Sequence, residues 1–209
     1  MTTITKRLMR VGILCVPAID EDAITTVFRA IQEAHSPSLL VMTASALNQR
    51  NWIEEILRTW CDTEELDLVL TIGGTLPAPG PSAGEIVPDA TYSIVERLVP
   101  GLAEAMRYHA QQESALAWLD RGIVGIRGRS LLVNLPTGAA PALLFIEAIT
   151  DLLPIAVAHL QGNSTAPQLR DEVVLEQEER VEESPSTAVT NKGLRAEEFA
   201  AFLARNKPQ

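Results

Sequence analysis

Short apolar runs alternate with amphipathic stretches along the first 160 or so residues of this chain. Arg10 to Val16 reads as a buried strand. Asp20 or Glu21 can cap a helix whose apolar residues Ile24, Val27, Phe28 and Ile31 recur at helical spacing. Leu39 to Met42 forms a second apolar run. A helix from about Asn48 to Cys61 follows it, with Trp52, Ile53, Ile56 and Trp60 on one stripe. A third run, Leu66 to Ile72, is rich in aliphatic and β-branched residues and ends abruptly at Gly73-Gly74-Thr75. Apolar runs of this kind, separated by amphipathic helices, imply an α/β domain with a mainly parallel sheet covered on both faces.

From Leu76 to Val87 almost every residue is Pro, Gly, Ala or Ser, a composition that favours turns over regular structure. Pro88 and Asp89 suit the first turn of a helix that runs through Tyr92, Ile94, Val95 and Leu98 and is stopped by Pro100-Gly101. A helix from about Leu102 to Glu113 comes next. Two strand-like runs follow, Gly122 to Ile126 and Leu131 to Leu135, joined by a tight turn at Arg127-Gly128-Arg129. Two helices, about Ala140 to Leu152 and Pro154 to Gln161, complete a domain spanning residues 1–162.

Beyond Gly162 the composition changes to Asn, Ser, Thr and Pro, and Asp171 to Glu183 carries seven acidic residues against one arginine. Residues 163–193 therefore read as an acidic, disordered linker. In residues 194–209 the spacing of Leu194, Phe199, Phe202 and Leu203 predicts one short amphipathic helix, which could dock on its own domain or on a protein partner.

Charge narrows the choice of ligand. A net charge of −10 with scattered Lys and Arg disfavours nucleic acid as a partner. No apolar run approaches the ~20 residues a membrane span needs, and Met1 to Arg10 lacks a signal-peptide core, so the expectation is a cytoplasmic protein without a membrane partner. Cys15 and Cys61 lack any metal-ligand spacing and read as buried thiols. His35, His109 and His159 are too dispersed for a metal cluster. Trp52 and Trp60 read as core or subunit-interface residues.

The chemistry points to the loop after the third run. A loop leaving the carboxyl end of a parallel strand lies where α/β sheets place ligands, because backbone amides and a helix N-terminus gather there and favour an anion such as phosphate. Gly73 and Gly74 would let a ligand approach the backbone, and Thr75 adds a hydroxyl. A second loop, Asn134-Leu135-Pro136-Thr137-Gly138, also follows a strand and precedes a helix, and would add donors at the same edge. This is neither a Walker loop nor a GxGxxG fingerprint, and a purely structural turn at Gly73-Gly74-Thr75 stays open.

Five ordered segments resemble the Mog-like molybdopterin-binding family: Asp67 to Thr75, Val87 to Thr91, Val99 to Arg107, Gly125 to Gly128, and Leu132 to Pro136. The resemblance spans about Arg10 to Gly162. It implies a three-layer α/β/α fold, a homotrimer, and binding of molybdopterin or a related phosphorylated small molecule. Catalytic members of the family transfer AMP to molybdopterin from Mg-ATP. The ligand-binding residues so implied are Gly73, Gly74, Thr75, Asp89, Asn134, Pro136 and Gly138.

The chain departs from the family where magnesium chemistry is concerned. Leu76 follows Thr75 in place of a glycine, and a longer Pro-rich insertion ends in Gly84-Glu85, leaving Glu85 as the acidic candidate for both the metal ligand and the catalytic carboxylate. A second family aspartate falls at Asn48. Where the family has Ser-Asp and a glycine-containing loop, the loop Cys15 to Asp20 is shorter and lacks the serine, and the Ser-Arg dipeptide before a strand becomes Asp120-Arg121, where an inward-pointing aspartate would repel a phosphate. Two hypotheses follow: a molybdopterin adenylyltransferase using Mg and ATP, or a non-catalytic relative that binds a pterin or nucleotide or scaffolds a partner.

Overall fold

A computed structural model describes residues 8–35, 37–77, 80 and 84–162, all within the compact unit Met1–Ala166. The acidic segment and the C-terminal helix expected above lie outside the described residues.

Six strands form one sheet in the order β2-β1-β3-β6-β5-β4. They are β1 (Met9–Cys15), β2 (Ser38–Ser45), β3 (Leu68–Ile72), β4 (Arg97–Leu98), β5 (Val124–Arg127) and β6 (Ser130–Leu135). The first four in that order are parallel, with Ile13 opposite Leu70 and Leu70 opposite Val133. β5 and β4 extend the sheet antiparallel. The helices are α1 (Glu21–Ala34), α2 (Arg50–Asp62), α3 (Val87–Ile94), α4 (Pro100–Ala110), α5 (Ala139–Glu147) and α6 (Leu153–Leu160).

Side chains alternate across the central strand, so β3 feeds two cores. Leu68, Leu70 and Ile72 pack with residues of α1, α4, α5 and α6 on one face, whereas Val69 packs with residues of α2 and α3 on the other. The result is the expected three-layer α/β/α arrangement with a largely parallel sheet. Gly12 in β1 is there for packing: a Cβ would stand 2.5 Å from Leu66 Cδ1 and 2.9 Å from the Trp60 ring.

Three boundaries differ from the sequence reading. The helix expected to reach Leu98 ends at Ile94, because Val95-Glu96-Arg97-Leu98-Val99 is β-favouring and precedes a proline, which disfavours helical backbone before it. Arg97 and Leu98 instead pair with Ile126 and Gly125, and the missing side chain of Gly125 makes room for Val95. Pro100 opens α4 rather than stopping a helix, since its absent N–H falls where a helix has no partner to offer. The helix expected to reach Leu152 ends at Glu147, with Thr150 Oγ1 donating to the Glu147 carbonyl at 3.1 Å in the turn before α6.

On α2 the buried stripe is Ile53, Leu57, Trp60 and Cys61; Trp52 stands off it and is 55% exposed. Both cysteines are buried thiols, and burial pushes Cys61 up to about 11. No described helix is long and apolar enough to cross a membrane.

Candidate functional site

The chain leaves β3 between two neighbours that constrain it. The Gly73 amide donates to Leu135 O at 2.9 Å, extending the β3–β6 ladder by one residue, and the Val16 amide donates to Ile72 O at 2.8 Å. Gly73 then turns with φ 109°, and a Cβ there would lie 2.0 Å from the Val16 carbonyl oxygen. A side chain is therefore excluded at this position by the protein's own backbone, as well as by the left-handed conformation. Gly74, at φ 63°, lies against Val87 at the start of α3. The two glycines thus serve first to bring three loops together. With the Gly73 amide spent in the sheet, Gly74 and Thr75 supply the loop's remaining amides, and no described residue accepts from either.

Thr75 is 1% exposed and is gripped from both ends. Its hydroxyl donates to Asp120 Oδ2 at 2.5 Å, and its carbonyl accepts from the Arg121 amide at 3.0 Å. Asp120 is itself buried, and its other oxygen accepts from the Gly122 amide at 2.7 Å. Arg107 from α4 completes the cluster by donating to the Gly122 carbonyl at 2.9 Å. Burial raises the Asp120 carboxyl above its ordinary value, while the Thr75 hydroxyl, the Gly122 amide and the charge of Arg107 work in the opposite direction. Asp120 does point inward, as the concern about phosphate repulsion requires, but into protein: both carboxylate oxygens are occupied by loop donors.

Asn134 has a comparable part on the neighbouring strand. It is fully buried; its amide nitrogen donates to Thr71 Oγ1 and Thr91 Oγ1, each at 2.9 Å, and its oxygen accepts from the Ile123 amide at 3.2 Å. These bonds tie β6 to β3 and α3, so Asn134 serves the site by anchoring its floor. Pro136 is buried beside an apolar cavity of about 350 Å³ that Leu76, Leu116, Leu144 and Phe145 also line. Thr137 faces a second, more polar cavity of about 430 Å³ between the Val16–Asp22 loop and Ile72. Gly138, at φ 94°, caps α5.

The exposed rim is built around Arg121. One guanidinium nitrogen lies 3.4 Å from Glu85 Oε1 and the other 3.0 Å from Asp89 Oδ1. The first also donates to the Glu85 carbonyl at 3.3 Å. Asn48 Nδ2 donates to the Gly84 carbonyl at 2.8 Å, pinning the end of the Pro-rich insertion next to Glu85. Glu85 and Asp89 are therefore brought to the same guanidinium.

Magnesium is held by one or two carboxylates together with waters and ligand phosphates; at this rim Glu85 and Asp89 face the Arg121 guanidinium, and Asn48 gives its amide hydrogen to the Gly84 carbonyl. Among the described residues, no three His, Cys, Asp or Glu side chains gather as a metal would require.

The sequence points to Gly73, Gly74, Thr75, Glu85, Asp89, Asn134, Pro136 and Gly138 for this edge. Arg121 and Thr137 enter that reading only within the Asp120-Arg121 dipeptide and the Asn134–Gly138 loop, and the fold brings both to this edge; the counter-ions of Arg121 lie 32 and 36 residues away in the chain, so spacing gives no signal for its ion pairs.

No family model matches the chain. Individual proteins do. Molybdopterin adenylyltransferase of Helicobacter pylori (strain ATCC 700392 / 26695) is 34% identical over 139 residues, covering 65% of this chain and 77% of that protein. The molybdenum cofactor synthesis protein cinnamon of Drosophila melanogaster is 29% identical over 166 residues, covering 79% of this chain and 27% of that longer protein. The molybdopterin biosynthesis enzyme MoaB of Thermus thermophilus superposes with a TM-score of 0.62 at 36% identity, covering 74% of this chain and 98% of that one. A Mog protein from Mycobacterium ulcerans, at 22% identity and a TM-score of 0.64, shares the fold, covering 75% of this chain and 99% of that one. Ordered motifs, sheet topology and these relatives agree, and the chain belongs to the Mog-like molybdopterin adenylyltransferase family of molybdenum cofactor biosynthesis.

Proposed function

We propose that this protein binds molybdopterin at the carboxyl edge of its sheet, in molybdenum cofactor biosynthesis. The observation that carries the reading is the convergence there of Gly73–Thr75, Asp120–Arg121 and Asn134–Gly138, segments far apart in sequence, in a chain whose relatives are named for molybdopterin chemistry. The amides of Gly74 and Thr75 and the guanidinium of Arg121 suit the ligand's phosphate, and the cavities beside Pro136 and Thr137 offer space for a ring system. Adenylyl transfer to molybdopterin is the activity in the relatives' name; Mg-ATP as the donor and Glu85 as the candidate carboxylate belong to the same proposal.

The test is incubation of the full chain with molybdopterin, ATP and magnesium, followed by chromatography of the protein-bound fraction. Retained pterin is the expected result, and its absence would sink the proposal. Adenylylated pterin would add catalysis to binding; retained, unmodified pterin would make the protein a carrier or regulator. A homotrimer and a cytoplasmic location belong to the same reading; light scattering and fractionation test them. Contact of the acidic tail with a protein partner is a separate proposal, tested by comparing partner capture by the full chain and by a chain ending at Gly162.

A further inference from the structure

Of the segments that converge on this edge, Asp120 alone is both charged and buried, at 5% exposed. A carboxylate out of water is costly unless donors surround it. Here they come from two parts of the chain: the Thr75 hydroxyl, on the loop after β3, and the Gly122 amide, on the way into β5. From Asp120 the bonding runs on to the neighbouring strand. A Cβ at Gly122 would stand 2.6 Å from Asp120 Oδ1 and 3.1 Å from the Asn134 carbonyl oxygen. Ile123 then exchanges hydrogen bonds with Asn134, its amide donating to Oδ1 at 3.2 Å and its carbonyl accepting from the Asn134 amide at 3.1 Å. Arg107 donates to the Gly122 carbonyl, so its charge polarises the same peptide that serves Asn134 and offsets that of Asp120.

The loop after β3 supplies the other half of the observation. Thr75 is 1% exposed and its hydroxyl is spent on Asp120, whereas Gly74 beside it is partly exposed. We infer that Asp120 is a positioning residue of this site: without meeting the ligand, it holds the Thr75 hydroxyl and the Gly122 amide and so fixes the Gly73–Thr75 loop against the strand of Asn134, leaving phosphate to be met by main-chain amides already in place. A serine, which the family resemblance puts here, has one oxygen where the carboxylate has two, so this bridge between the two donors is the chain's own. The inference rests on the molybdopterin-binding reading for the identity of the ligand; its claim about the loop does not. A loop ordered beforehand binds more tightly because it loses less freedom on binding.

Two measurements on the full chain decide it. The first uses no ligand and follows NMR relaxation of the Gly74 and Thr75 amides. Order parameters of about 0.85 are expected in the wild type. They should fall below about 0.6 in Asp120→Asn, which keeps one acceptor oxygen for two donors, and in Thr75→Val, which has no hydroxyl to donate. Amides that stay ordered in either variant, or that are mobile already in the wild type, overturn the inference.

The second is a double-mutant cycle on molybdopterin affinity, read per folded molecule. Each single variant should bind about tenfold more weakly, the factor that loss of a hydrogen bond to a charged group commands. The double variant should match the weaker single one within about twofold, because both changes break one link. Thr75→Ser keeps the hydroxyl and should recover most of what Thr75→Val loses. Additive losses would mean that the hydroxyl touches the ligand directly, tighter binding by Asp120→Asn that the carboxylate repels the phosphate, and unchanged binding that the cluster serves the fold alone. Each of these overturns the inference. If Asp120→Asn does not fold, Thr75→Val and Thr75→Ser decide it by loop order and affinity. A wild type that retains no molybdopterin fells the functional reading instead, and the relaxation measurement still decides whether Asp120 orders the loop.

Discussion

Asp120 and Arg121 are adjacent in the chain and act on the same loop, yet their side chains work in opposite environments. Asp120 is buried, and its two oxygens take the Thr75 hydroxyl and the Gly122 amide. Arg121 is partly exposed and meets its partners through water-accessible ion pairs. In a low-dielectric interior an unmade hydrogen bond is expensive, so the buried member fixes shape. At the rim, solvent screens each pair to ~0–1 kcal/mol, so the exposed member sets charge without holding the fold. The contrast predicts that changes to the interior lose stability and changes to the rim alter binding.

The largest effect should come from Gly73→Ala, on the interior side of that divide. Its Cβ would stand 2.0 Å from the Val16 carbonyl oxygen, which is backbone and cannot swing away, in a conformation with φ 109°. Destabilisation of about 3–5 kcal/mol is expected in urea unfolding, by analogy with severe backbone strain and overpacking. A loss under about 1 kcal/mol would show that the loops after β1 and β3 can part, and the rigid floor of the site would go with it.

Next in size is Asp120→Ala, which strands two buried donors. A loss of about 2–4 kcal/mol is expected. The conservative Asp120→Asn allows a finer test through pH. Burial raises the Asp120 carboxyl in the folded protein, so between its unfolded and folded values the native state binds the additional proton. Stability contributed by this group therefore falls as pH rises through that window and recovers on acidification. The stability difference between wild type and Asp120→Asn should move toward the variant as pH rises from the ordinary carboxylate range to the raised value. A difference that is flat with pH, or of the reverse sign, would mean that hydrogen bonds outweigh desolvation at this carboxyl.

What is legible in the sequence follows the same division. The parallel strands are readable because β1, β3 and β6 are buried on both faces and so consist of apolar runs. The candidate edge is readable because glycines end one of those runs. The sequence misleads where tertiary contact overrides local pattern. Val95 to Val99 continues an apolar periodicity, but it becomes a strand because β5 offers it an edge at Gly125. Trp52 shares the spacing of the core stripe but is exposed on the single chain, which leaves the subunit-interface half of its reading standing. Asn134 reads as a ligand donor because it sits in a family motif; only the fold shows that both of its amide hydrogens go to Thr71 and Thr91 and that its oxygen accepts from the Ile123 amide. Arg121 is legible as the arginine of a family dipeptide, but its pairing with Glu85 and Asp89 is not, since the fold brings those two acids to it from 36 and 32 residues away.

The smallest expected effect on stability is at that same arginine, and it is the one that most sharpens the comparison. Arg121→Gln removes two exposed ion pairs but leaves the Arg121 amide bond to Thr75 and the whole of the Asp120 cluster intact. Unfolding free energy should fall by no more than about 1 kcal/mol, and the difference should shrink in high salt as screening weakens what the pairs contribute. If the loss were instead comparable to that of Asp120→Ala and indifferent to salt, the guanidinium would be holding the Pro-rich insertion as part of the core. The rim would then be architecture, and any change in ligand affinity on mutating Arg121 would reflect a displaced Glu85 segment in place of altered charge.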